Sequence, residues 1–317
     1  MYLVILRLKL KYLITGATGF IGKELIDKIR KNGDSFEIIT RNSNRAKKIF
    51  PDANLIHQID LKTEVPKADI FKDIDVVINL AGEFVFNPFG WTKSKKLSIY
   101  NSRVLLTKNL VKGISASTNN SMVLVSASAV GYYPQSENGK VFDEQSSSGK
   151  EFLSEVCRDW ENEALLAKNF GVSVSIIRLG IVLGKQGGVI KNFYWPFIFG
   201  LGTVFGKGTQ WWSWIHVKDV VNLILFCAEN RLNGIYNGVS VLPVMHQDFV
   251  KMLAKLLNRR VYFKFPEIFL KLIFREMASE LINSYNVKPN ATLKSGYEFI
   301  YDNLNEALGN ILKRDSK

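Results

Sequence analysis

A short apolar run, KYLIT at residues 11–15, leads without a break into Gly16-Ala17-Thr18-Gly19-Phe20-Ile21-Gly22. An amphipathic stretch at 23–31 follows, with Leu25, Ile26 and Ile29 on one helical face. Strand, glycine turn and helix in that order constrain this chain more than any other feature. Each glycine has its own task. Gly16 permits the tight turn, Gly19 lets the backbone approach a pyrophosphate, and Gly22 allows close helix packing. The helix N-terminus adds free N–H groups and the positive end of its dipole. With Thr18, Phe20 and Ile21 completing the loop, the stretch predicts a dinucleotide-binding turn.

Apolar β-branched runs recur at 36–40 (FEIIT), 76–82 (VVINLAG), 122–126 and 172–178, with helical patterns between them around 97–114 and 151–168. This alternation signals βαβ units and a parallel sheet. Counting a strand before Asp60, six strands predict an α/β Rossmann fold, a doubly wound parallel sheet with a smaller C-terminal α/β substrate lobe. The expected division is a dinucleotide-binding domain over 10–184, its sheet completed by parts of 214–240, and an interleaved lobe over 185–317. Beyond Gly180 the alternation gives way to a glycine- and aromatic-rich stretch at 187–214. Helices are expected at 217–229, 247–257, 268–281 and 304–312.

With 317 residues, 47% of them hydrophobic, the chain can bury a large core, which excludes intrinsic disorder. Cys157 and Cys227 lack metal or redox spacing and fit a reducing, cytoplasmic setting. The apolar leader 1–9 is broken by Arg7 and Lys9 and is read as a strand extension or an artefact of start-codon choice. No membrane span is expected. The net charge of +13 is spread along the chain, so a solvated basic surface is favoured over nucleic-acid binding. A small molecule is the expected partner, and a homodimer is compatible with the sequence.

At the end of the second strand, 19 positions after Gly22, Thr40-Arg41 stands where a ribose-binding carboxylate would select NAD(H). A guanidinium there suits a 2′-phosphate, so NADP(H) is preferred over NAD(H). Asp60 is placed to accept the adenine amino group or to remain a solvated loop residue. Asn79-Leu80-Ala81-Gly82, ending the fourth strand, lets the backbone come close to a cofactor.

These residues resemble the extended short-chain dehydrogenase/reductase superfamily. Ser126 to Tyr133, Phe152-Leu153, Trp160-Glu161, Arg178 to Gly184, Gly187-Gly188, Trp214-Ile215-His216 and Asp219 narrow the likeness to an epimerase-like family often labelled sugar-nucleotide epimerase. It extends over about 10–312 and includes a family-typical C-terminal segment, 265–312. The superfamily uses a Tyr-x-x-x-Lys pair beside a serine, and anchoring on Trp160-Glu161 puts Leu153 and Cys157 at the tyrosine and lysine positions.

The resemblance therefore leaves Ser128 and Tyr132 as candidate catalytic residues, with Tyr133 beside them and a pocket expected between sheet and lobe. It implies cofactor contacts from Arg103 and from the backbone of Val182. It gives His216 and Asp219 a supporting task, and Cys157 reads as a buried thiol. The implied function is an atypical NADP(H)-dependent oxidoreductase or epimerase acting on an unidentified small substrate, nucleotide-linked molecules included. The competing reading is a non-catalytic NADP(H)-sensing regulatory or scaffold protein.

Overall fold

The computed structural model describes residues 9–87 and 90–313, so the leader reading falls almost wholly outside the described residues. Seven parallel strands form the central sheet: β1 (Lys11–Thr15), β2 (Ser35–Thr40), β3 (Leu55–Gln58), β4 (Val76–Asn79), β5 (Val123–Ala129), β6 (Ser173–Leu179) and β7 (Gly234–Gly238). Their order is β7-β6-β5-β4-β1-β2-β3. From β1 the chain steps outward through β2 and β3, then returns to the other side of β1 for β4. Neighbouring connections thus diverge at β1 and β4, opening a crevice at their carboxyl ends, where ligands of doubly wound sheets bind.

The strands are near-continuous apolar runs because both faces of the sheet are covered. Alternation within β1 shows it: Tyr12 and Ile14 enter one core and Leu13 the other. The first core is closed by Leu25, Ile26 and Ile29 of α1 (Phe20–Asn32) together with Val220 and Ile224. The second is closed by Leu110 and Ile114 of α2 (Leu106–Ser115) and Ala164 of α3 (Phe152–Leu165). α1 stops at Gly33, whose φ of 75° suits the left-handed position that ends a helix, with Arg30 and Lys31 in its last turn.

The smaller lobe packs α4 (Gly188–Ile198), α6 (His246–Leu256) and α9 (Leu304–Leu312) around Trp212, Phe249, Leu253 and Leu308. Beside α1 on the first core packs α5 (Val217–Glu229). A helix expected over 268–281 is two helices, α7 (Glu267–Phe274) and α8 (Ala278–Ile282), joined by the 3-10 turn Arg275–Met277. Arg275 takes a φ of 52°, which ends α7. The carbonyl of Phe274 then sits so close to Gly90 that a Cβ there would be 2.8 Å from it. No described helix is long and apolar enough to cross a membrane.

The C-terminal segment is tied to the sheet by two buried carboxylates. Asp219, at the start of α5, accepts from the backbone N–H groups of Ile300 (2.7 Å) and Tyr301 (3.1 Å). The Tyr297 hydroxyl also donates, 2.9 Å to the Asp219 carbonyl and 3.4 Å to its carboxylate. Glu144 accepts from the N–H groups of Asn237 (2.9 Å) and Ala291 (3.0 Å). Removing such an acceptor leaves buried donors unpaired. Asp219→Ala is expected to lower the unfolding free energy by on the order of 3 kcal/mol, read from the urea midpoint; a loss under about 1 kcal/mol would show the tie to be dispensable.

Candidate functional site

The glycine turn builds the crevice floor. Gly16 has a φ of 73°, and a Cβ on it would lie 2.6 Å from the Leu80 carbonyl carbon and 2.8 Å from the Ala81 nitrogen. The first turn therefore rests on the backbone after β4 and tolerates no side chain. Gly22 seals the other side, since its Cβ would stand 2.6 Å from the Ala17 carbonyl oxygen. Gly19 differs: a Cβ would meet only the Gly16 oxygen, at 3.1 Å, so the space in front of it is open. Gly19 caps α1 with no side-chain hydrogen bond, and the first turn holds no acidic residue. The free N–H groups of α1 are thus left for an anion.

A cavity of about 240 Å³ opens in front of this turn and brings together Gly16, Thr18, Gly19, Thr40, Arg41, Asp60, Leu80, Ala81 and Gly82. Arg41 is exposed at its rim. Asp60 Oδ1 accepts from the N–H of Lys62 (3.1 Å), so this carboxylate also shapes its own turn. Beneath the cavity, Thr15 Oγ1 donates to Asn79 Oδ1 (2.8 Å), and Asn79 Nδ2 donates to Thr107 Oγ1 (2.8 Å) and Ser126 Oγ (3.2 Å). Thr15 and Asn79 are wholly buried and cross-link β1, β4, β5 and α2. Thr15 was not singled out from the sequence, although a polar residue ending an apolar strand was the available signal. Phe20 points elsewhere, packing against Gly184 and Gly187 beyond β6, and Ile21 packs into the core.

Arg103 lies on a π-helical turn, Asn101–Leu105, behind Gly82. Its Nη2 donates to the Glu83 carbonyl (2.9 Å), its Nη1 reaches the Ile99 carbonyl (3.3 Å), and the guanidinium lies 5.5 Å over the Trp160 ring. It lines a second cavity of about 210 Å³, which also takes Leu153 and Cys157, the positions at which the superfamily pair is missing. Burial, and next the charge of Glu161, push the Cys157 thiol up to about 12, so it stays protonated and is not a nucleophile at neutral pH.

Ser128 and Tyr132 do not line this second cavity. Ser128 Oγ donates to Glu161 Oε1 (2.6 Å), and Glu161 holds Arg178 through two bonds of 2.8 Å each. The Arg178 guanidinium lies 3.4 Å from the Tyr132 ring centre and donates to the Tyr133 hydroxyl (2.9 Å), which donates to Asn237 (2.8 Å). All three side chains serve this buried ion pair. Val182 lies with neither Arg103 nor Arg41; it lines a third, apolar cavity of about 690 Å³. His216 caps α5, its Nδ1 accepting from the Lys218 N–H (3.1 Å), and burial, then Lys218, lower its pKa to about 4. It is therefore neutral at pH 7.

Residues 12–238 match the model of the NAD dependent epimerase/dehydratase family. The chain belongs to this family. Residues 265–311 match a second model, a domain of unknown function, DUF1731. An Arabidopsis thaliana protein, the chloroplastic homolog of epimerase family protein SDR39U1, is 38% identical over 303 residues, 95% of this chain and 86% of that protein. Epimerase family protein SH2119 of Staphylococcus haemolyticus is 31% identical over 95% of this chain and 99% of its own length. The crystal structure of human epimerase family protein SDR39U1 (isoform 2) with NADPH superposes with a TM-score of 0.84 at 28% identity, covering 95% of this chain and 98% of that one.

In this epimerase/dehydratase family member the domain of unknown function reaches the site directly. Glu280 of α8, Asn283 and Tyr285 line the second cavity opposite Cys157. Asn283 Nδ2 donates to the Tyr285 hydroxyl (3.2 Å), and Gln135 Nε2 holds Asn283 Oδ1 (2.6 Å). Burial, and next the charge of Glu151, push the Glu280 carboxyl up to about 7. Sequence reading missed these three residues, which carry no motif and lie more than 100 positions from Cys157.

The two glycine environments predict different responses. Gly16→Ala forces a side chain into a left-handed position against the Leu80 backbone and is expected to cost on the order of 3 kcal/mol. Gly19→Ala, at φ −76°, is expected to stay within about 1 kcal/mol of the parent. Chemical denaturation of both variants checks this, and equal losses would contradict the packing described.

Proposed function

We propose that the protein binds NADP(H) in preference to NAD(H) along the crevice and works as an oxidoreductase or epimerase on a carbonyl or alcohol carbon in the cavity beside Cys157. The observation that carries this reading is the uncapped N-terminus of α1, open in front of Gly19, in one cavity with Arg41. The human relative crystallised with NADPH supports it. A bound nicotinamide dinucleotide supplies or accepts a hydride. The α1 N–H groups take the pyrophosphate, Arg41 takes the 2′-phosphate by charge-assisted hydrogen bonds, and Asp60 borders the adenosine end.

Proton handling falls to Glu280 on this reading, not to Ser128 and Tyr132, whose polar atom and ring face are engaged by Glu161 and Arg178. A carboxyl near pH 7 is matched to donating a proton to a forming alkoxide and taking it back in the reverse direction. Tyr285, raised by burial and then by Glu280, remains a neutral hydrogen-bond donor. Replacement of the usual tyrosine and lysine by Leu153 and Cys157 favours a second reading, a cofactor-sensing protein without turnover. Tight retention of NADPH with no oxidation across a carbonyl panel would establish that one. Both readings place the protein in a reducing compartment such as the cytoplasm, in keeping with two free buried cysteines.

Three measurements follow. Arg41→Ala should weaken NADPH binding by about tenfold or more, the worth of a charge-assisted bond of roughly 1.5 to 3 kcal/mol, and barely alter NADH binding; equal affinities of the parent for both would remove the 2′-phosphate assignment. Gly19→Val should fold and lose both dinucleotides. For Glu280, carbonyl reduction should fall about tenfold per pH unit above 7 as the carboxyl loses its proton. Glu280→Gln should slow the reaction and abolish that limb, and an unchanged pH profile would exclude Glu280 as the donor.

A further inference from the structure

We propose that the substrate is an elongated apolar molecule ending in a carbonyl or hydroxyl group, and that its chain lies in the large cavity between α4, residues 84–86 and α7. The inference rests on the proposed hydride chemistry and names the class of molecule on which it acts.

The cavity, open on one side, has a volume of about 690 Å³, within the range of roughly 300 to 1,000 Å³ usual for small-molecule sites. Its walls are aromatic and aliphatic, with Phe86, Phe193, Phe197, Phe274 and Leu281 among them. No lysine or arginine lines it among the described residues, and Glu280 is its single ionisable side chain there. A sugar nucleotide needs cations or clustered N–H donors for its diphosphate. This wall offers no such cation among the described residues, whereas an alkyl or aryl chain gains by leaving water.

Continuity gives the substrate its direction. Ile181, Trp212 and Glu280 line both this cavity and the smaller one beside Cys157. A chain seated among the aromatics therefore presents its end at Glu280, facing Leu153 across the smaller cavity. Leu153 at the superfamily's tyrosine position fits the same chemistry, because it extends the apolar wall to the reacting end.

The test uses the full chain, with 2-alkanones from six to fourteen carbons and UDP-glucose as probes, and tryptophan fluorescence and calorimetry as readouts, with and without NADPH. The expected result is one alkanone per chain, with affinity rising up to about fourfold per added methylene until the cavity is filled. UDP-glucose should not compete. Ile273→Glu and Leu201→Glu place a charge at half-exposed or exposed lining positions, where folding should survive. Either should weaken the longest bound alkanone at least tenfold while leaving NADPH affinity unchanged. Saturable UDP-glucose binding without alkanone binding would overturn the proposal, as would alkanone binding indifferent to chain length or to both substitutions. Absence of NADPH binding in the parent would instead sink the cofactor reading, while length-dependent alkanone binding measured without cofactor would still uphold the cavity assignment.

Discussion

The arrangement of the site depends on one buried ion pair. Arg178, near the carboxyl end of β6, is almost wholly shielded from water, as is Glu161 on α3. A guanidinium in that position must be neutralised and fully hydrogen-bonded. Burial alone would lower the Arg178 pKa, but the bonds and charge of Glu161 hold it above the usual arginine value. The remaining donors and the cation face recruit Tyr133 and Tyr132, and the spare lone pair of Glu161 recruits Ser128. Breaking such a pair from one side characteristically costs about 3 to 5 kcal/mol. The pair thus fixes α3 against β5 and β6, and with α3 the positions of Leu153 and Cys157.

With Ser128 and Tyr132 drawn into that network, the cavity beside Cys157 must find polar groups elsewhere, and the C-terminal segment brings them. Asp219 and Glu144 anchor residues 291–301 to the sheet, and the parallel pairing of Asn286–Val287 with Val141–Phe142 continues the connection. Glu280, Asn283 and Tyr285 lie just before that pairing, so the anchors set their position as well. Residues of the domain of unknown function thus form part of the wall of the cavity beside Cys157.

Much of the fold was legible because its determinants are local. The strand, glycine turn and helix at 11–32, the continuous apolar runs of β1, β2 and β4, and the helical periodicity of α1 follow from periods of 2 and 3.6 residues in short windows. The break at Arg275 was not, because no glycine or proline marks it and the close approach of the Phe274 carbonyl to Gly90 is a tertiary contact. The same division holds in the site. Gly16, Gly19, Arg41 and Gly82 stand at fixed offsets from strand ends and share one cavity. Glu280 and Tyr285 acquire meaning only from the cavity they face, and the setting of Ser128 turns on Glu161, 33 residues away.

The central claim is that the crevice before Gly19 and the cavity beside Cys157 form one site, completed by the C-terminal segment. A crystal structure of the protein with NADPH tests it most directly. The account predicts the 2′-phosphate within hydrogen-bonding distance of Arg41, the pyrophosphate on the N-terminus of α1, and the reactive edge of the nicotinamide facing Glu280 and Tyr285. A dinucleotide bound with its nicotinamide turned away from that cavity, or with its 2′-phosphate remote from Arg41, would contradict it.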